Sequence, residues 1–134
     1  MPIGALDSGG RIVDAAMEEF GQVDILYNNA GIFRDHKLWG LTDAEFSTVL
    51  DVNFVGVFSH ACCDPGIDDS PAARGKIVNN TSRVAFRGRA GQTAYAAAKL
   101  GVVGLSISAS IELMEYGVNS GLGTSRGSLA ALRA

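Results

Sequence analysis

Val23-Asp24-Ile25-Leu26-Tyr27-Asn28-Asn29-Ala30-Gly31 is the stretch on which the fold turns. Its first five residues form a short apolar run, the pattern of a strand buried in a parallel sheet. Its last four tolerate unusual backbone angles and read as a turn. Upstream, Ile12, Val13, Ala16, Met17 and Phe20 fall on one helical stripe. Asp7 or Ser8 can cap that helix, and Gly21 sits where a left-handed residue ends it. Downstream, residues 32–41 read as loop. Thr42-Asp43-Ala44-Glu45 then matches a capping box, and Phe46, Val49, Leu50, Phe54, Val57 and Phe58 repeat at helical spacing, which predicts a helix over 43–62.

Pro65, Gly66, Pro71 and adjacent aspartates make 64–74 a surface loop, and Lys76-Ile77-Val78-Asn79-Asn80 reads as a second short strand. Residues 82–91, with Gly88, Gly91 and three arginines, suggest an exposed loop. A long alanine-rich helix is expected from Gln92 to Tyr116, with Gly117 as its stop. Gly101 and Gly104 inside it call for close packing against another backbone as compensation. Residues 120–134 are expected to be a mobile tail with a short helix from Ser128 to Arg133.

Helix and strand alternate along the chain, which argues for an α/β fold with a parallel sheet and right-handed crossovers. Two strands alone make a poor sheet, because parallel strands are normally buried on both faces. Further strands must come from Val118-Asn119 and the N-terminus, from a partner chain, or from a larger domain.

Composition narrows the function classes. The 134 residues are 47% hydrophobic and 19% charged, with a formal net charge of −3, so the chain is not disordered. One domain of this length buries roughly two thirds of its unfolded surface. No apolar run approaches the ~20 residues of a membrane span, and no signal-peptide layout opens the chain. A pI near 5.2 argues against a basic nucleic-acid-binding surface. Seventeen glycines point to many tight turns. Cys62 and Cys63 are neighbours without another partner, and read as reduced thiols suited to the cytoplasm. Asn80-Thr81-Ser82 is a chance sequon in that setting.

Tyr95 and Lys99 are the most informative pair, although Tyr-x-x-x-Lys by itself is a common exposed helical pair. Four residues apart on a helix, they share a face, and a nearby ammonium favours phenolate over phenol. A tyrosine tuned in this way serves as general acid or base. Ser82 follows the second strand at the end where parallel sheets bind ligands, and its hydroxyl can bond a substrate oxygen. Asn53 is an amide on the apolar stripe of the middle helix; it needs partners there and can order a water. His36 and His60 lack ligand-spaced neighbours, so no metal site is expected. Trp39 reads as a loop anchor, and Arg83, Arg87 and Arg89 as a solvated loop face.

In combination, these stretches resemble the short-chain dehydrogenase/reductase family. The resemblance is carried by residues 23–31, by Val52-Asn53-Phe54-Val55-Gly56-Val57-Phe58, by Gly75-Lys76-Ile77-Val78-Asn79-Asn80-Thr81-Ser82, by Tyr95-Ala96-Ala97-Ala98-Lys99 and by Glu115-Tyr116-Gly117-Val118-Asn119. All stand in family order, over about residues 9–119. The resemblance implies one partial Rossmann-like domain, a three-layer αβα parallel sheet, and hydride transfer between NAD or NADP and an alcohol or carbonyl substrate. Tyr95 would be the general acid/base, with Lys99 lowering its pKa and holding the nicotinamide ribose. Ser82 would polarise the substrate oxygen and Asn53 would support a water-linked proton path. Asn29, Ala30 and Gly31 fall on the cofactor side, and Val84, Phe86 and Gln92 where family substrate pockets are built.

Departures from the family pattern are equally specific. Its glycine-rich Thr-Gly-x-x-x-Gly-x-Gly turn, which seats the pyrophosphate, would precede residue 1. So would the residue that chooses between NAD and NADP. Weak or absent NAD(P)H binding by the isolated chain is therefore expected. Gly121-Leu122-Gly123 and Gly127 imitate the spacing of a phosphate loop without its strand and helix. Two readings follow: a cytoplasmic oxidoreductase, or a truncated, inactive homologue serving as an interaction module. Helices 43–62 and 92–116 are expected to form a homo-oligomer, and no nucleic-acid or membrane partner is expected.

Overall fold

The computed structural model describes residues 8–62, 75–124 and 130–131. Helix α1 (Ser8–Phe20) leads into strand β1 (Ile25–Asn28). Helix α2 (Asp43–Leu50) passes through a π turn (Asp51–Val55) into helix α3 (Gly56–Cys62). Strand β2 (Gly75–Thr81), the single helical turn α4 (Val84–Arg87) and the long helix α5 (Thr93–Glu112) follow. A 3-10 turn (Leu113–Tyr116) carries the chain into β3 (Val118–Thr124), and β4 (Ala130–Ala131) closes the sheet.

The punctuation follows local chemistry. Gly21 and Gly117 adopt positive φ just past their helices. Thr42 and Glu45 form the expected capping box: the Glu45 backbone N–H donates to Thr42 Oγ1, and the Thr42 backbone N–H donates to Glu45 Oε2. The Thr42 backbone N–H and hydroxyl both donate to Glu45 Oε2 and, with His36 Nε2 3.1 Å from Glu45 Oε1, hold the Glu45 carboxyl below its ordinary range, the Thr42 bonds first.

Strands run in the order β1-β2-β3-β4, with β1, β2 and β3 parallel and β4 antiparallel to β3. In this register one face of the sheet carries Leu26, Asn28, Ile77, Asn79, Val118 and Ser120. Ile77 and Val118 are each 1% exposed there, packed with Leu113 against Ala61 of α3 and Ala109 of α5. The opposite face carries Ile25, Tyr27, Lys76, Val78 and Asn119. Ile25 is 60% exposed and Tyr27 53%. The helices of the described residues that pack on the sheet cover the first face, so this region supplies two of the three layers of an αβα sandwich.

The tail differs from the sequence reading. Residues 120–124 belong to β3 rather than to a mobile tail, and Ala130–Ala131 is strand rather than helix. The glycines that made the segment look irregular are what let it pair. A Cβ on Gly123 would sit 3.3 Å from Val78 Cγ1 and 3.7 Å from the Tyr27 hydroxyl. Gly121 and Gly123 therefore lie in a strand and form no phosphate loop. Within 82–91, Val84–Arg87 is a helical turn. Gly101 does compensate by close packing, but against the Phe54 ring, 3.1 Å from the Cβ it lacks; Gly104 faces open space. The thiols of Cys62 and Cys63, the loop 64–74, and residues 125–129 and 132–134 lie outside what is described.

Candidate active site

The carboxyl ends of β2 and the start of α5 are joined at Lys99. Its Nζ donates to the Asn80 carbonyl at 2.7 Å, and its own carbonyl accepts from Thr81 Oγ1 at 2.9 Å. Lys99 is only 2% exposed, and burial pulls its amine down to about 8. Its Nζ lies 5.7 Å from the centroid of the Tyr95 ring, one helical turn earlier. Phe33, from the loop after β1, meets that ring edge-on with centroids 6.1 Å apart. Amine and phenol therefore share one side of α5, as their spacing requires.

Asn53 reaches the same corner through the π turn. Its Nδ2 donates to Ile32 O at 2.7 Å and to Val49 O at 2.8 Å, which fixes the amide between the helix and the loop after β1. Its Oδ1 is buried with no partner. A Cβ on Gly31 would stand 2.7 Å from that oxygen and 3.7 Å from Lys99 Nζ. The missing Cβ of Gly31 thus lets Asn53 Oδ1 pack close to the backbone on the same side as Lys99 Nζ, where any other residue would clash.

Ser82 follows Thr81 directly. Its Oγ accepts from the Val84 backbone N–H at 3.3 Å, which leaves the hydroxyl proton available to a ligand oxygen. It opens onto a cavity of about 330 Å³ shared with Arg83, Val84, Arg87, Arg89 and Thr124. Of the expected pocket residues, Val84 lines this cavity, whereas Phe86 is exposed and Gln92 is turned elsewhere. Gln92 is buried, and its Nε2 donates to Asp35 Oδ1 at 3.0 Å, tying the loop after β1 to the start of α5. Asn29 and Ala30 line a separate cavity of about 170 Å³ with Ile12, Leu26, Val57 and His60.

Two features escaped the sequence reading. The Asn80 carbonyl that receives the Lys99 amine is backbone, and no side-chain pattern announces it. A buried chain of polar groups also crosses under the sheet: His60 Nδ1 lies 2.9 Å from Asn28 Oδ1, Asn28 Nδ2 donates to Asn79 Oδ1 and Asn79 Nδ2 to Ser106 Oγ, which donates to Val102 O. The amides of Asn28 and Asn79 could have suggested it, because an amide inside a strand needs a partner. Trp39 proves exposed, with Lys37 Nζ 5.2 Å above its ring.

A parallel sheet whose second strand leads into Ser82, and whose covering helix carries Tyr-x-x-x-Lys near a buried asparagine, has the layout of the Rossmann-like short-chain dehydrogenase fold. Residues 3–121 match the short chain dehydrogenase family model, and the chain belongs to that family. It is 43% identical over 106 residues to the short-chain reductase protein NovJ of Streptomyces niveus, covering 79% of this chain and 40% of that protein. Over 102 residues it is 41% identical to the 3-oxoacyl-(acyl-carrier-protein) reductase FabG of Chlamydia muridarum, covering 75% of this chain and 40% of the reductase. A short chain dehydrogenase from Mycobacterium smegmatis superposes with a TM-score of 0.83 at 30% identity, over 92% of this chain and 51% of that one. The chain thus spans about half the length of these relatives.

Proposed function

We propose that this corner is the catalytic centre of an NAD(P)-dependent oxidoreductase acting on an alcohol or carbonyl group. The observation that carries the reading is the buried Lys99 amine, held by Asn80 and facing the ring of Tyr95. With Lys99 beside its ring, the Tyr95 phenol gives its proton to a substrate carbonyl oxygen. In the reverse direction the phenolate takes the proton from an alcohol. The Ser82 hydroxyl donates to the same substrate oxygen and holds it in place. Asn53 Oδ1, a buried acceptor without a partner near Lys99 Nζ, would order a water that links the amine to solvent and restores the proton. A nicotinamide cofactor supplies or accepts the hydride.

The residues present fit one end of that cofactor. Lys99 Nζ has donors beyond its bond to Asn80, and with Tyr95 would face the ribose beside the nicotinamide. Asn29, Ala30 and Gly31 would face the adenosine side. The glycine-rich pyrophosphate turn is not among the 134 residues. A second reading, an inactive homologue working as an interaction module, draws support from the open face bearing Ile25 and Tyr27. Helices α2–α3 and α5 would be its contact surfaces, with Phe58, Leu100, Ile107 and Ile111 exposed along them. A cytoplasmic setting suits either reading.

Nicotinamide oxidation by the purified chain, with NADH and NADPH against a panel of ketones, tests the assignment. Tyr95→Phe is expected to lower turnover by about a thousandfold or more with the fold intact. Equal turnover in wild type and variant removes Tyr95 from its role. No turnover in the wild type, with undetectable binding of either cofactor by fluorescence titration, favours the second reading.

A further inference from the structure

We propose that the cavity beside Ser82 recognises an oxyanion, so that the substrate is an alcohol or ketone whose skeleton also bears a carboxylate or phosphate. The inference rests on the oxidoreductase reading for the reaction, but the anion site stands on its own observations. Arg83, Arg87 and Arg89 line the same cavity of about 330 Å³ as Ser82 and Thr124. That volume lies within the range of small-molecule sites, about 300–1,000 Å³.

Chain geometry brings the three arginines to one cavity. Arg83 and Arg87 stand four residues apart across the α4 turn and so share a side of it. Gly88 then takes φ +67, a conformation that L side chains rarely adopt, and the chain bends so that Arg89 meets the same cavity. The bend places a third cation where a continued helix would have carried it away.

Charge reinforces the geometry. Between Gly75 and Ile111 there are five Lys and Arg residues and no Asp or Glu, in a chain whose formal net charge is −3. Among the described residues, none of the three arginines forms an ion pair. Of the carboxylates on the loop after β1 and on α2, Asp35 accepts from Gln92 and Glu45 binds Thr42 and His36. Three arginines with no ion-pair partner among the described residues, around a concave mouth, present the forked donors that carboxylate and phosphate accept in pairs. The Ser82 hydroxyl in the same cavity sets the reacting oxygen near the anionic group.

Amide-resolved NMR titration of the full chain tests the site with three probes: acetoacetate, dihydroxyacetone phosphate and the neutral acetoacetamide. Shifts are expected at the 82–89 amides, with at least one anion bound about tenfold or more tightly than the amide. Which anion binds more tightly identifies the head group. Raising NaCl toward ~1 M should weaken anion binding and leave the amide unaffected. The triple variant R83Q/R87Q/R89Q should lose about tenfold or more in anion affinity while keeping its circular dichroism, and the triple Arg→Lys variant should fall between. Equal affinity for anion and amide, or undiminished anion binding in the Gln variant, overturns the proposal. Tyr95→Phe separates it from the reading beneath: the variant should bind anions normally. Anion binding without Tyr95-dependent turnover defeats only the oxidoreductase reading, and Tyr95-dependent turnover that prefers neutral ketones defeats only the anion site.

Discussion

The corner around Lys99 and the outer face of β1 lie on the same sheet and obey opposite rules. At the corner, polar groups are buried and fixed by short bonds: Lys99 to Asn80, Thr81 to Lys99, and Asn53 to both Ile32 and Val49. On the outer face, large apolar side chains stand in solvent, Ile25 and Tyr27 foremost. The corner is assembled from α2, the π turn, β2, α5 and the loop after β1. Its geometry does not depend on whatever covers the far side of the sheet. Positioning of Tyr95 and Lys99 and completion of the sheet are therefore separable tasks.

Breaking the buried side should cost most. Asn79→Leu removes the middle of the chain from His60 to Ser106 and leaves Asn28 Nδ2 and Ser106 Oγ each short of a partner. The expected loss is about 3 kcal/mol or more, measured by urea denaturation. A loss no larger than that of a surface substitution would show that the chain of amides is not what holds β1 to β2 beneath the sheet.

Lys99 sharpens the contrast through pH. Its folded pKa is depressed from 10.5 to about 8 by burial, so between those values the unfolded chain binds the extra proton. Folding stability attributable to Lys99 is thus lowest below pH 8 and rises as pH climbs through 8 toward 10.5, by about 3 kcal/mol in all. Lys99→Met should remove this rise. An unchanged pH slope in the variant would mean that the amine is hydrated in the folded chain.

The smallest effect is expected on the open face. Tyr27→Lys should change stability by no more than about 0.5 kcal/mol and shift sedimentation toward monomer, because the exposed apolar face favours association. A large loss of stability would show that Tyr27 contributes to the core after all.

Much of this was legible from residue order. The apolar run ending in Asn28-Asn29-Ala30-Gly31, the capping box at Thr42 and the Tyr95/Lys99 spacing each encode a local decision, and local decisions survive folding. Asn53 was conspicuous because an amide on an apolar stripe must find partners, and it did. What stayed hidden depends on contacts between distant segments. Gly121 and Gly123 look like breakers until Val78 and Tyr27 are placed beside them. The Asn80 carbonyl has no side-chain signature. Three arginines read as a solvated loop until the bend at Gly88 brings them to one cavity.

The π turn at Asp51–Val55 gives the middle of the chain a phase. Asn53 projects to the Lys99 corner from within that turn, whereas His60 of α3 meets Asn28 beneath β1. Each residue of an α-helix advances the azimuth by about 100°, and a π turn takes up one residue more over nearly the same rotation. The extra residue is absorbed inside the turn, so α3 continues in the direction α2 set. Deleting one residue within the turn would therefore be felt at Asn53 itself, whereas His60 would keep its direction toward Asn28.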